Sequence, residues 1–536
     1  MLIKKIAISL FLCMLVVCTN AQDSLLLRDF KFVSQSDPWL THRNAAALTR
    51  FSANNIVKTE VSVDKGNGGL VDYSDSRNTL AADGNVESFY RLGSRVVTYG
   101  TISYTGWSGR DMTGSAFMQE RLPFNLVEDS LTNPGKKHRD TYHLIGALGV
   151  DVHQGISVGA RMDYTSSNYA KYKDLRHQNK LMDMKLTLGG FLPLLKGLSI
   201  GADYTYHRQT ESVAFGTYGK SERVYKTLID YGAFMGRVEQ FGNEGYTDKA
   251  REMPLFEESH GASIQTEVIP TDRLSFFGSF IFSSGDGYYG RKSPYTATYT
   301  QHKRNITETN FTVTYQPLSH TSRFCLDISY QTEKLSNRAE TFRELTNTSG
   351  ANYYEYYDAV ETGTKKWNDI AIGLTTQQGI RGELPGWELA AIYQCNQRQQ
   401  SAFLYPFYRY QSLKINRLML CAAHNLIGQK GVWTFSLKTA YQNGSGAPFQ
   451  DGTFVEPSQK QEAPATMDAF LFREYRYLTA KHYLVGGSVQ YAFVFPRTRL
   501  KTHARLAFDY HTTNQENVYT QGNDHTHVTL AVGCTL

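Results

Sequence analysis

Apolar and polar residues alternate at period two through most of the chain beyond residue 55, most clearly from Thr141 onward. Tyr142, Leu144, Gly146, Leu148, Val150 and Val152 share one face, and a turn at His153-Gln154-Gly155 leads into Ile156, Val158, Ala160, Met162 and Tyr164. A polar stretch (166–180) follows, then Met184, Leu186 and Leu188, a turn at 193–197, and Leu198, Ile200, Ala202, Tyr204 and Tyr206. Such alternation marks strands of a sheet with one apolar side. The connections alternate too, very short polar turns with long aromatic, charged loops. Up-and-down antiparallel strands whose ends face two compartments are connected this way, as in transmembrane β-barrels.

The pattern predicts strands near 56–63, 86–92, 95–107, 263–268 and 274–282. It predicts short turns at 316–322, 379–386, 428–431 and 496–498. Long loops are expected near 283–304, 335–365, 398–410, 443–481 and 512–524, and the longest, 209–259, is expected to hold a hairpin or short helix near 223–237. The sum is an all-β, closed antiparallel up-and-down transmembrane barrel over residues 55–536, of about 18 strands within a range of roughly 14 to 18. Closure satisfies the backbone groups that an open edge would leave bare in lipid. The chain ends on the cleanest strand, where Val528, Leu530, Val532, Cys534 and Leu536 alternate with small and polar residues.

Residues 1–21 read as a signal peptide: Lys4 and Lys5, an apolar run, then Thr19-Asn20-Ala21. Val17 disfavours lipidation at Cys18. Residues 22–54 are expected to form an arm or short helix at the periplasmic mouth. The four remaining cysteines, Cys325, Cys395, Cys421 and Cys534, are too scattered for a disulfide framework or a zinc site. With 56 Lys plus Arg against 50 Asp plus Glu, nothing calls for a nucleic-acid partner.

The leader ending Ala21-Gln22, the Tyr-rich strands and the segment Gly-Ser-Arg-Val-Val-Thr-Tyr-Gly-Thr-Ile-Ser-Tyr (93–104) resemble an uncharacterised family of Bacteroidota outer-membrane β-barrels. That resemblance implies an outer-membrane location and no known ligand. Asp37-Pro38-Trp39 and Asn44-Ala45-Ala46-Ala47-Leu48 also resemble the start of fatty-acid-transporter barrels, which carry Asn-Pro-Ala before the first strand; here Ala45 replaces the proline.

Two Gly-x-Ser-x-Gly matches, at Ser157 and Ser199, begin strands after short turns, where no nucleophile elbow forms. They read as a repeated hairpin unit, and no enzyme activity is expected. Face counting gathers His511, His525 and His527 near the outer mouth of the lumen as candidate metal ligands. No cofactor is expected. The tyrosines at 353–357 lie in an outer loop and are candidates for glycan or protein contact. Inward-facing Arg161, Asp163, Asp183, Lys185, Asp203, Arg323 and Asp327 give the lumen mixed charge, suited to water and ions. The expected function is passive uptake or capture of a solute at the outer membrane, alone or as accessory to another receptor or lipoprotein. The alternative is a non-transporting interaction or assembly barrel with a plugged lumen and partner-binding loops.

Overall fold

Eighteen strands, in chain order, form the wall: β1 (Ile56–Gly68), β2 (Asn78–Arg91), β3 (Val96–Met112), β4 (Gly135–His153), β5 (Ile156–Lys171), β6 (Arg176–Leu195), β7 (Leu198–Gly216), β8 (Met253–Thr271) and β9 (Leu274–Ser293). The second half comprises β10 (Thr296–Tyr315), β11 (Ser322–Ala339), β12 (Val360–Gln378), β13 (Trp387–Leu404), β14 (Phe407–Ile427), β15 (Gly431–Gly446), β16 (His482–Val494), β17 (Lys501–Thr513) and β18 (Asp524–Thr535). The computed structural model describes residues 26–128, 133–218, 223–242, 245–248, 252–293, 295–495, 500–515 and 522–536. The leader at 1–21 and the turn at 496–498 lie outside the described residues.

Each strand pairs antiparallel with its neighbour, and β1 closes on β18 with Val61 opposite Val532 and Val63 opposite Leu530. The period-two pattern puts Val61, Ile102, Leu188, Ile264, Leu437 and Leu530 on the outer surface, each at least half exposed, where a bilayer would cover them. Their neighbours Gln265, Glu267 and Asn337 are buried inside. Trp433 packs on Tyr491 at 4.6 Å and Trp387 stacks on His424 at 4.0 Å, outer aromatic pairs near the turn end that suit a bilayer interface. Short turns are built for the strand twist: Gln154 and Gly155 both take positive φ, the two-residue hairpin geometry that matches it.

One polar stretch and two expected long loops are largely strand instead. Residues 166–180, 283–304 and 398–410 carry β5–β6, β9–β10 and β13–β14 outward to tight connections, the last through Tyr405-Pro406 alone. Strand beyond the bilayer has no lipid face, so its outer residues become polar and the alternation that marks a strand fades. The loop between β7 and β8 does hold the anticipated hairpin, Lys226–Gly232 paired with Met235–Gln240.

Two apolar cores sit inside the barrel rather than in its wall. Toward the turn end, α1 (Phe30–Ser34), α2 (Pro38–Thr41) and a 3-10 turn (Ala45–Arg50) bury Phe30, Val33, Leu40, Leu48 and Phe51 against Ile56, Phe89, Val97 and Ala147. Toward the opposite end, loop residues Phe117, Leu122, Phe124, Leu126, Ile229, Tyr231 and Met235 pack against Val213, Leu255 and Tyr289 of the wall.

Candidate functional site

Segments of the chain fill much of the lumen near both ends, and the expected arm at the mouth lies within it. Asp37 caps α2 by accepting from the Trp39 amide at 3.0 Å, and Trp39 is fully buried between Phe191 and Phe277, each edge-on at 5.0 Å. Asn44 is the centre of the inner plug. Its Oδ1 accepts from the Ala46 amide at 3.1 Å, and its Nδ2 donates to Gln265 Oε1 at 2.9 Å and to the Gly190 carbonyl at 3.0 Å. Arg43 pairs with Asp203 at 3.0 Å, and Arg50 bridges Asp37 at 2.7 Å and Glu267 at 3.0 Å. Burial lowers the His42 imidazole to about 4, so it is neutral in this packing.

Close approach of this segment depends on missing side chains. A Cβ at Gly149, Gly159 or Gly189 would run into Ala45, Ala46 or Asn44, and one at Gly201 into Trp39 and Gln265. These four glycines stand on β4, β5, β6 and β7, forming a cradle across four successive strands. Nearer the mouth, Arg28 pairs with Glu383 at 3.0 Å, Lys31 with Glu388 at 2.5 Å, and Lys501 donates to the Arg28 carbonyl at 2.6 Å.

The outer plug is a four-stranded sheet made by loops: Asn125–Glu128, Lys226–Gly232, Met235–Gln240 and Ala465–Thr466. A helix α3 (Asp468–Thr479) supports it through Phe470 and Leu471, packed with Leu228 and Phe234. Charges tie it to the wall. Arg121 reaches Glu333 at 2.7 Å and Asp369 at 2.5 Å, Lys365 donates to the Leu122 carbonyl at 2.9 Å, and Arg398 holds Glu474 at 2.6 Å. Glu128 sits between fully buried Lys137, at 3.2 Å, and Lys171. Buried ions of this kind persist only when paired, because desolvation otherwise dominates. Beneath Arg121 lies a polar cavity of about 200 Å³ lined by Glu308, Asn310, Gln331, Asp369, Gln394 and Asn396.

His511, His525 and His527 do share the inner face. His511 stands opposite His525, and the rings of His525 and His527 are 4.8 Å apart. Two of them are engaged through Nδ1: His527 meets Asp64 at 2.9 Å and His525 the Gly68 carbonyl at 3.1 Å. Among the described residues no group of three His, Cys, Asp or Glu is placed to hold a metal ion. Asp163 and Asp183 meet His143 and His207 at 2.8 and 2.9 Å, Asp327 accepts from Thr312, and Arg323 donates to the Gln35 carbonyl. Ser157 is buried against the inner plug, its Oγ 2.8 Å from Thr49 Oγ1. The tyrosines at 353–357 lie on an exposed hairpin, Phe342–Thr346 with Asn352–Tyr356.

Sequence reasoning anticipated the hairpin near 223–237 but not the rest of the outer plug, and it missed the glycine cradle. The plug had a faint signal in the apolar runs Phe124-Asn125-Leu126-Val127 and Leu228-Ile229; the cradle had none without the strand register.

Among solved structures, the chain is similar to the FrpB iron transporter from Neisseria meningitidis (8% identity, 92% of this chain and 83% of that one, TM-score 0.41). It is also similar to the outer membrane transporter YddB from Escherichia coli (8%, 91% and 81%, TM-score 0.40) and to BauA, the ferric preacinetobactin receptor from Acinetobacter baumannii (8%, 90% and 80%, TM-score 0.38). No curated protein matches the chain. One family does, over residues 45–536, and its span covers nearly the whole barrel and the 3-10 turn of the inner plug: the chain belongs to the family of unknown function DUF6850.

Proposed function

We propose that this protein is a bacterial outer-membrane barrel that takes up a small hydrophilic solute through a constricted, plugged lumen rather than through an open pore. The observation that carries this reading is the polar cavity left between two plugs, walled by Glu308, Asn310, Gln331, Asp369, Gln394 and Asn396. Its polar groups pair along the wall, Asn310 with Glu308 and Asn396 with Asp369, each at 2.7 Å, and leave space between them where a barrel filled only for rigidity would pack apolar side chains. A chamber with such a lining suits solute passage. Short turns, the inner plug and the end of β18 belong on the periplasmic side, and the outer plug and tyrosine hairpin face outward.

The test is solute flux in proteoliposomes. Swelling in isotonic small solutes, with none in an oligosaccharide, supports constricted uptake; no swelling in any solute rejects it. The second reading, a non-transporting barrel, is favoured by one observation, the outer plug's anchorage through buried ion pairs at Glu128, Glu333 and Glu474.

A further inference from the structure

The inner plug does not fill the barrel evenly. It leans on β4–β9, where the glycine cradle, Gln265, Glu267 and Phe277 receive it. Across the lumen, β13–β17 turn small side chains inward: Ala390, Cys421, Ala423, Ser436, Ser488 and Ala507. They line a second cavity of about 280 Å³, bounded on the plug side by Lys31. Strand β13 joins the two cavities along one wall. Asn396 and Gln394 face the outer one; Ala390 and Glu388, two turns of the pleat further toward the periplasm, face the inner one.

The chemistry of this wall is two-signed. Lys438 pairs with Asp509 at 2.8 Å, Arg505 with Glu60 at 2.9 Å, and Lys31 with Glu388 at 2.5 Å. No aromatic side chain lines either cavity, so ring-stacking solutes find no platform. Lys31 remains 60% exposed, and a wet ion pair of that kind is weak enough to exchange one partner for a solute group.

We propose that a side passage runs along β13–β17 past a stationary inner plug, with the Lys31–Glu388 pair as its periplasmic gate, and that it conducts small zwitterionic solutes of amino-acid size. The ammonium of such a solute takes the place of Lys31 at Glu388 while its carboxylate meets Lys31 or Lys438. This rests on the uptake reading and adds the route and the solute class to it.

The experiment uses the chain beyond the leader in proteoliposomes, with its four cysteines replaced by serine, and compares swelling in isotonic glycine, alanine and arabinose. Thr49→Cys with Ser157→Cys locks the plug to the wall, the two native hydroxyls being 2.8 Å apart. Ser488→Trp fills the passage; Ala507→Leu serves if the tryptophan variant does not insert. Expected are glycine and alanine entering roughly threefold faster than arabinose, no change on oxidising the lock, and about tenfold loss on filling the passage. Flux abolished by the oxidised lock and restored by reductant would overturn the side passage while keeping uptake, because the plug itself must then move. Flux unaffected by both fillers would also overturn it. Arabinose equal to alanine would overturn the solute class. No flux of any solute through the unlocked protein would bring down the uptake reading itself.

Discussion

The indole Nε1 of Trp39 donates to Glu267 Oε2 at 3.1 Å, joining the N-terminal segment to the inner face of β8 across 228 positions of sequence. Arg50 meets the same carboxylate at 3.0 Å. A tryptophan that is fully buried inside a barrel, with its one donor satisfied by the wall, makes the plug part of the fold rather than a loose tail. Trp39→Ala should therefore cost about 3–5 kcal/mol. The measurement is thermal unfolding in detergent, with a clear fall in Tm; an unchanged Tm would mean the plug is not docked.

The glycine cradle can be tested without touching the plug. Gly159→Val places branched carbon where Ala46 now lies, and the plug must leave or the strand must shift. Overpacking of this kind costs about 1–3 kcal/mol. The variant should still migrate as a folded barrel on unheated gels, yet lose protection of residues 26–55 against protease. Protection equal to the parent would show that the cradle is not what admits the segment.

Opposite faces of the last strand should respond differently to charge. Leu530 and Val532 are 60% and 59% exposed on the outer surface, while Thr529 donates to Asp64 inside. Leu530→Arg should cost about 2–4 kcal/mol of folding into lipid, with Thr529→Arg costing less because it faces the aqueous lumen. Equal losses would place the register off by one residue.

The outer plug should loosen as pH rises. Burial, reinforced by Glu474 and Asp75, pushes the Asp72 carboxyl from an ordinary 3.8 up to about 8, despite a hydrogen bond of 2.6 Å from the Tyr73 amide. A carboxyl raised on folding binds its proton more tightly in the folded state. Its contribution to stability is whole below pH 3.8 and is lost as pH climbs toward 8. Protection of the α3 amides, corrected for the intrinsic rise of exchange with pH, should fall in the parent as pH rises toward the raised Asp72 value, since Arg473 of α3 donates to the Asp72 carbonyl. Asp72→Asn should flatten the profile, and an unaltered slope in that variant would assign the effect elsewhere.

The strands from 141 to 206 were legible because lipid on one side and water on the other impose alternation residue by residue. Where β5–β6, β9–β10 and β13–β14 leave the bilayer, the outer face meets water while the inner face, Tyr289 and Ala402 on it, packs against the outer plug, and the same backbone read as loop. The inward face of His511, His525 and His527 was also legible, since it follows from parity. Their partners were not: Asp64 lies 463 positions from His527 and is brought beside it only by closure of β1 on β18. Trp39 and Asn44 stood out in the sequence, yet the cradle that holds them is spread over four strands at Gly149, Gly159, Gly189 and Gly201, and only register aligns it. Apart from its hairpin, the outer plug escaped because its apolar runs are too short to show a period.

Central to this account is an inner plug resident in a lumen that the outer plug also narrows, and single-channel conductance in planar bilayers tests it most directly. The intact chain should show small, steady current steps, and a chain lacking residues 26–54 should show larger ones, because one of two resistances in series is then removed. Equal conductance from the two chains would contradict the account: the N-terminal segment would not be obstructing the lumen that it occupies.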